Sequence, residues 1–198
     1  MKKENRGKLK IIPLGGLEQI GMNITAFEYE DSIIVVDCGL AFPEDDMLGI
    51  DLVIPDVTYL KDNISKVKGF VITHGHEDHI GGIPFLLQVV KIPFIYATPL
   101  ASAMIKRKLD EKRLTNATKI IQIDDEYQIK SKYFNIGFFK TNHSIPESMG
   151  IIINSPNGRI VETGDFKFDL SPVGDPADYQ KMSFLGETGV TLLMSDST

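Results

Sequence analysis

Three histidines and two carboxylates lie within the six residues from His74 to His79, directly after the apolar run at residues 69–72. A short apolar run that ends in a polar turn predicts a buried strand that ends near His74. The chain has four histidines, and three of them fall in this one segment. A chance grouping on a polar loop is the competing interpretation, and this concentration argues against it. The fold must therefore bring a buried strand to this cluster.

The spacing within the cluster suits metal coordination at two adjacent points. His74 and His76 are two residues apart, so on an extended backbone their side chains point to the same side. Asp78 and His79 fall on the following turn and can face a second position nearby. Imidazole and carboxylate ligands suit Zn²⁺ or a similar divalent ion. Glu77 is the remaining acid, and we expect it to point away from both positions.

Three further residues stand in polar turns or at predicted strand ends and are candidates for the same site. His143 follows an apolar segment; a lone histidine is more often structural, but the first cluster favours a ligand role. Asp165 follows a glycine and is placed like a ligand that bridges two ions, with a turn or N-cap acid as the alternative. Asp37 ends an apolar strand, where it either caps a turn or orients a ligand histidine.

The acidic segment at residues 38–55 offers a candidate for a different ion. Gly49 and Asp51 could hold a hard cation such as Ca²⁺ through backbone and carboxylate oxygens, and an ordinary solvated loop is the alternative. Cys38 begins the segment. A metal role for its thiol competes with the simpler role of a small buried filler.

The composition limits the class of protein. With 198 residues and 42% hydrophobic content, the chain is one domain of ordinary size or a large part of one. The single cysteine excludes an internal disulfide and suits a reducing cytoplasm. No apolar run approaches membrane-spanning length, so we expect no membrane partner. The net charge of −6 argues against a broad basic nucleic-acid surface, but it does not exclude a nucleic-acid enzyme.

Strand patterns dominate the first part of the chain, and helical patterns intervene later. The predicted strands cover residues 9–14, 23–29, 32–37, 92–97, 120–123, 133–140, 150–154, 159–162 and 190–194. Helices are predicted at 100–111 and 175–185, the second with Pro176 in its first turn. Pro13 predicts an edge position for the first strand. This order fits an α/β (α+β) fold with two sheets face to face and helices outside, better than a doubly wound parallel sheet.

Taken together, these residues resemble the metallo-β-lactamase superfamily, whose fold is an αββα sandwich. The flanking segments resemble the bacterial ribonuclease J family, and the last four residues resemble the first motif of the β-CASP nucleases, the subgroup that contains it. The segments that carry the resemblance lie at residues 15–17, 37–39, 48–51, 74–79, 143–146, 163–169 and 195–198.

The resemblance implies a two-metal hydrolase that cuts single-stranded RNA from a 5′ end or internally. His74, His76 and His143 would hold one ion, Asp78 and His79 the other, and Asp165 would bridge the two. Zn²⁺ and Mn²⁺ both fit such a ligand set. By the same resemblance, Asp196 would position the nucleophile or handle a proton, and the full-length protein would be a homo-oligomer that meets partners in RNA decay.

The resemblance also implies that this αββα sandwich is incomplete. Residues 1–198 would form the N-terminal part of the metallo-β-lactamase domain. A β-CASP insertion, the rest of the domain with one more ligand histidine, and a C-terminal domain would lie outside it.

Two other functions compete with the ribonuclease. A small-molecule hydrolase of the same superfamily would act on a thioester or a lactone, and the sequence Asp196-Ser197-Thr198 argues against it. An inactive fragment that binds metal poorly is the second alternative, because a histidine ligand would be missing from the second ion's set.

Overall fold

The computed structural model describes residues 7–197. The first six strands are β1 (Lys10–Gly15), β2 (Ile24–Tyr29), β3 (Ser32–Val36), β4 (Val67–Val71), β5 (Phe94–Ala97) and β6 (Lys119–Gln122). They are followed by β7 (Ile129–Lys130), β8 (Asn135–Lys140), β9 (Met149–Ser155), β10 (Gly158–Glu162) and β11 (Leu192–Met194). The α-helices are α1 (Thr58–Asp62), α2 (Glu77–Ile80), α3 (Ile83–Leu86), α4 (Pro99–Glu111) and α5 (Tyr179–Thr188).

The strands form two sheets. The first has the order β1-β2-β3-β4-β5-β6, with antiparallel pairing from β1 to β3 and parallel pairing from β3 to β6. The second has the order β11-β10-β9-β8-β7, antiparallel except where β11 runs parallel to β10. Strand β1, which contains Pro13, is an edge strand as predicted.

Three apolar layers hold the sheets and helices together. Between the sheets, Phe27, Val36 and Val71 pack against Phe134 and Phe138 of the second sheet. Burial of each such large side chain contributes about 1.5–3 kcal/mol. Helices α3 and α4 cover the other face of the first sheet, and α5 covers the outer face of the second. The predicted αββα layering is therefore confirmed.

Strand β3 shows why the central strands are apolar throughout. Ile33 and Val35 face the helix layer, whereas Ile34 and Val36 face the second sheet. All five residues of the strand are buried. The unbroken apolar sequence of the strand fits this double burial, because a strand covered on both faces has no polar face.

The chain segments that leave the strands at one edge of the sandwich carry the polar clusters found in the sequence. Asp37 follows β3, residues 73–79 follow β4, and residues 141–148 follow β8. Residues 163–165 follow β10, and Asp196 follows β11. Both sheets therefore deliver side chains to the same place.

One helix prediction needed correction. The last helix does not begin at residue 175 but at Tyr179, because the Asp178 side chain caps it by accepting a 2.8 Å hydrogen bond from the backbone N–H of Lys181. Pro176 therefore precedes the helix and does not lie in its first turn. The end of the histidine cluster forms the four-residue helix α2, and the apolar segment after it forms the four-residue helix α3.

No helix among residues 7–197 is long and apolar enough to cross a membrane. Thr198, the last residue of the β-CASP-like motif, lies outside the described residues.

Candidate metal centre

Three imidazoles and one carboxylate converge at the edge where the two sheets meet. His74 Nε2 lies 3.0 Å from His76 Nδ1, which lies 3.1 Å from His143 Nε2. Asp165 Oδ2 lies 3.5 Å from His143 Nε2. One donor atom from each of these four residues lies within 4.8 Å of all the others. The structure thus brings His143, which is 67 residues from His76 in the sequence, into the first group of predicted ligands.

A second group lies directly beside the first and shares Asp165 with it. His79 Nε2 is 3.3 Å from Asp78 Oδ2 and 3.3 Å from Asp165 Oδ1. Asp165 therefore turns one carboxylate oxygen toward His79 and the other toward His143. This is the arrangement expected of a carboxylate that bridges two ions.

The distances between donor atoms fit divalent ions. With Zn–N bonds of about 2.0–2.1 Å and tetrahedral geometry, neighbouring ligand atoms are separated by about 3.3 Å. The separations of 3.0–3.5 Å in both groups match that value. A hydrogen bond joins only two of these converging donor atoms, whereas one divalent cation can contact all the atoms of a group. The donor set therefore suits a metal better than a set of structural hydrogen bonds.

Thr73 and Asp37 orient the histidines from behind. The Thr73 hydroxyl donates to Asp37 Oδ2 at 2.8 Å, and His79 Nδ1 lies 2.7 Å from the same oxygen. Because the hydroxyl proton is used in this way, Thr73 Oγ1 accepts from His74 Nδ1, 3.0 Å away. Both imidazoles then carry a proton on Nδ1, and their Nε2 atoms face the donor groups, where a bound metal would take the place of any proton.

Asp37 has both of the roles that its sequence position allowed. Its Oδ1 accepts a 2.8 Å hydrogen bond from the backbone N–H of Thr73, which caps the turn after β4. Its Oδ2 orients His79, as described above. The residue is buried with a φ of 59°, a left-handed conformation that aspartate tolerates better than most residues.

Burial and charge give the histidines opposite protonation behaviour. Burial, reinforced by the nearby His79, lowers the pKa of His74 to about 3, and burial also lowers the pKa of His143. Burial alone would lower the pKa of His79 too, but the charge of Asp37 and hydrogen bonds to its carboxylate neighbours raise it well above its usual value. His74 and His143 are thus neutral, the form that binds metal, and the metal-free His79 is a cation.

The carboxylates of the second group complete this charge balance. Burial alone would raise the pKa of Asp78 and of Asp165, but the hydrogen bond to His79 and its charge lower both. The ionised carboxylates of Asp78 and Asp165 therefore both lie beside one imidazolium. A divalent cation bound here would balance the negative charge of these carboxylates in place of the proton on His79.

Backbone contacts fix the segment that carries Asp78. The Asp78 carbonyl accepts a 2.9 Å hydrogen bond from Asn23 N–H, and the His79 carbonyl accepts one of 2.8 Å from Cys38 N–H. The Asn23 side-chain amide donates to Asp78 Oδ2 at 3.1 Å. Asn23 and Thr73 are thus two contributors to which the sequence interpretation gave no role. The position of Thr73 beside the cluster was a usable signal, whereas Asn23 is 55 residues from Asp78 and offered none.

Two acidic residues border the centre without joining either donor group. The backbone N–H of Asp196 donates to Thr163 Oγ1 at 3.1 Å, which places this residue beside the segment that carries Asp165. The charge of Asp196 also tends to raise the pKa of His143. Glu162 is the unexpected neighbour: burial and the charge of Asp37 raise its pKa to about 8.

The other sequence candidates lie apart from the two groups. Glu77 points away as predicted, and its carboxylate pairs with Lys108 on α4. Cys38 is fully buried in the apolar layer under α3 and α4, and burial with the charge of Asp37 raises its thiol pKa, which supports the filler role. Gly49 and Asp51 lie in an exposed loop, with Gly49 at a φ of 80°. The calcium site remains a prediction.

Comparison with known proteins agrees with this geometry. A family profile described as the metallo-beta-lactamase superfamily matches residues 20–185. Ribonuclease J 1 of Streptococcus pyogenes is 56% identical over 188 residues, which are 95% of this chain and 33% of that protein. Ribonuclease J of Mycoplasma pneumoniae is 44% identical over 189 residues, 96% of this chain and 33% of that protein. The chain thus spans about a third of the length of these curated relatives.

Solved structures with low sequence identity share the fold. Unliganded yeast PDE1 superposes with a TM-score of 0.68 at 14% identity, covering 96% of this chain and 75% of that one. Zn²⁺-bound PqqB from Methylobacterium extorquens gives a TM-score of 0.62 at 14% identity, covering 89% of this chain and 60% of that one. The superfamily implies divalent metal ions, which the two donor groups could hold. With its ribonuclease J relatives, its sandwich fold and its paired donor groups, the chain belongs to the metallo-β-lactamase superfamily.

Proposed function

We propose that this chain is the metal-binding part of a ribonuclease that hydrolyses phosphodiester bonds of single-stranded RNA during RNA processing and decay. The observation that carries the proposal is the pair of donor groups joined by Asp165, in a chain 56% identical to a ribonuclease J. The cleavage would be 5′–3′ exonucleolytic, endonucleolytic or both.

The chain's own residues divide the work at the centre. His74, His76 and His143 would hold one ion, Asp78 and His79 the other, and Asp165 would bridge them. Paired divalent ions supply an activated water at neutral pH and charge stabilisation for a phosphoryl group. Zn²⁺ fits the donor set best, and Mn²⁺ is the alternative.

The surrounding groups orient the ligands and move protons. Asp37 and Thr73 hold His74 and His79 in the tautomer that directs Nε2 to the metal. Asp196, at the end of β11, is suited to position the attacking water or to accept its proton. Its position beside the Asp165 segment supports that role.

The domain proposal follows from the length of the relatives. This chain would be the N-terminal part of the metallo-β-lactamase domain, with the β-CASP insertion and later segments elsewhere in a longer protein. Strand β11 is an edge strand, and its Leu193 is 61% exposed, which suits pairing with further strands or with another chain. We expect a cytoplasmic homo-oligomer that meets other proteins of RNA decay.

The test compares substrates on the full-length protein. We expect 5′-monophosphorylated single-stranded RNA to be degraded in the presence of Zn²⁺ or Mn²⁺, and a thioester or lactone to remain intact. The His76→Ala variant is the matched control for contaminating nuclease. Faster turnover of the thioester than of RNA would show that the chain is a small-molecule hydrolase.

The isolated chain provides a second comparison. The second group has Asp78, His79 and the shared Asp165, and further coordination positions would be open to water. We therefore expect residues 1–198 alone to bind the second ion weakly and to have little ribonuclease activity. Robust RNA cleavage by this fragment, abolished by His76→Ala, would contradict that expectation.

A further inference from the structure

Glu147, in the loop that carries His143, has an unusual backbone conformation. Its φ is 63°, in the left-handed region, although it is not a glycine, asparagine or aspartate. A residue with a Cβ and no local side-chain hydrogen bond to its own backbone pays a steric cost in this region. Such conformations persist where surrounding contacts enforce them, and they are frequent at functional sites.

The contact that Glu147 makes explains why the conformation is kept. Glu147 Oε2 accepts a 2.7 Å hydrogen bond from the backbone N–H of Leu100, in the first turn of α4. The residue at the N-cap of that helix, Thr98, makes no capping hydrogen bond with its side chain. The carboxylate of Glu147 therefore caps α4 from another part of the chain, where the exposed N–H groups and the helix dipole favour a negative charge.

The same helix also supports the first histidine cluster. Gly75 lies between His74 and His76, and a Cβ built on it would be 2.8 Å from Met104 Sδ and 3.6 Å from the Cα of Ala101, both on α4. That Cβ would also be 3.4 Å from Ile145 Cδ1, in the loop of His143. Helix α4, the His74–His76 segment and the His143 loop therefore meet around Gly75.

The His143 loop is anchored at its base by backbone hydrogen bonds. Thr141 N–H donates to the Ser148 carbonyl at 3.0 Å, and Met149 N–H donates to the Thr73 carbonyl at 3.1 Å. These bonds close the base of the loop, and hydrogen bonds between Asn142 and the segment after β10 hold the residue before His143. The Glu147–Leu100 hydrogen bond is a charged contact that ties the loop directly to α4.

We infer that Glu147 is a positioning residue for the first metal site. Its carboxylate fixes the His143 loop to the first turn of α4, and this holds His143 Nε2 at coordination distance from the His74–His76 pair. The left-handed backbone conformation of Glu147 is sterically unfavourable, but it directs the carboxylate to the helix. The inference rests on the proposed metal centre, and it does not depend on RNA being the substrate.

The test uses two substitutions at Glu147 in the full-length protein. Glu147→Gly removes the whole side chain, carboxylate included, and lets the backbone adopt the observed φ without strain. Glu147→Gln keeps the strained backbone and an oxygen that can still accept the hydrogen bond. Glu187→Ala removes a carboxylate from an exposed position on α5 and is the matched control.

The readouts are the Zn²⁺ affinity in a chelator competition and the visible absorption spectrum of the Co²⁺-substituted protein, which reports ligand geometry. We expect Glu147→Gly to lose about tenfold or more in affinity, as for other groups that orient metal ligands, and to show a changed Co²⁺ spectrum. Glu147→Gln should recover most of the affinity, and Glu187→Ala should match the parent protein. Parent-like affinity and spectrum in Glu147→Gly would overturn the inference, and so would equal losses in the glycine and glutamine variants.

Discussion

Gly39 allows the backbone that carries Asp78 to approach the turn after β3 very closely. A Cβ built on Gly39 would lie 1.6 Å from the carbonyl oxygen of Asp78 and 2.2 Å from its carbonyl carbon. Cβ atoms in proteins essentially never come within 3.0 Å of such an atom, so a Gly39→Ala substitution requires a displacement of at least 1.4 Å, the difference between 3.0 and 1.6 Å. The neighbouring atom is backbone, so no side-chain rotation can relieve the contact.

This displacement is large on the scale of metal coordination. Ligand distances in metal sites are held to within about 0.2 Å, so a shift of the Asp78 peptide should remove Asp78 and His79 from the second ion. Forcing extra volume into a packed site also destabilises a fold by about 1–3 kcal/mol. We expect Gly39→Ala to lower the melting temperature by about 2–4 °C for each kcal/mol lost. After dialysis, we expect the variant to retain one ion per chain and not two.

The assay is metal analysis and thermal unfolding of the full-length protein, with Gly186→Ala as the control. A Cβ on Gly186, in α5, would have no neighbour within 4 Å, so this variant should keep both ions and gain about 0.5–1 kcal/mol from reduced backbone entropy. Wild-type affinity for the second ion in Gly39→Ala would refute the steric argument. It would show that the β3 turn and the Asp78 segment can move independently.

Three further predictions concern individual groups of the centre. His76→Ala should strongly weaken the binding of the first ion, because a site with three imidazoles loses one of them. Unchanged metal stoichiometry and affinity in calorimetry would mean that the ligand assignment is wrong. Asp37→Asn should reduce affinity for the second ion about 10–100-fold by weakening the contact that orients His79 Nδ1, and a chelator competition would detect this. Glu162→Gln should stabilise the metal-free protein relative to the parent, by an amount that grows between about pH 4.5 and about pH 8. The pKa of Glu162 in the folded protein is raised to about 8, so in this range the native state holds a proton that the unfolded state releases. The parent therefore loses stability as the pH rises, and the glutamine variant does not. Denaturant unfolding at several pH values measures this difference, and a pH-independent gap would count against it.

The strands and the main histidine cluster could be predicted because their signals are local. The hairpin of β2 and β3 follows from two apolar runs joined at a short polar turn, and the structure places it at Ile24–Tyr29 and Ser32–Val36. The cluster at residues 74–79 showed its ligand chemistry through composition and spacing alone. In both cases neighbours in the sequence are also neighbours in space.

The parts of the site that could not be predicted depend on contacts between distant segments. Nothing near Asn23 in the sequence indicates that its amide meets Asp78. Glu147 is similar, because its role depends on where α4 begins relative to the His143 loop. Glu162 lies on β10, and its pKa is raised by burial and then by the charge of Asp37, which the other sheet positions. Such contacts follow from how the sheets pack and leave no periodic signal.

The position of the site at the junction of the sheets has an energetic consequence. His74, His76, Asp78 and His79 come from the segment after β4 in the first sheet, whereas His143 and Asp165 follow strands of the second. An ion that requires ligands from both sheets binds only when the sheets are packed together, so its binding free energy adds to the stability of the folded state. In the metal-free protein, by contrast, the His79 imidazole is the group that contacts all three carboxylates, those of Asp37, Asp78 and Asp165. A metal ion bound at the proposed centre would therefore also stabilise the fold, because it would offset the negative charge of the carboxylates that the two sheets bring together.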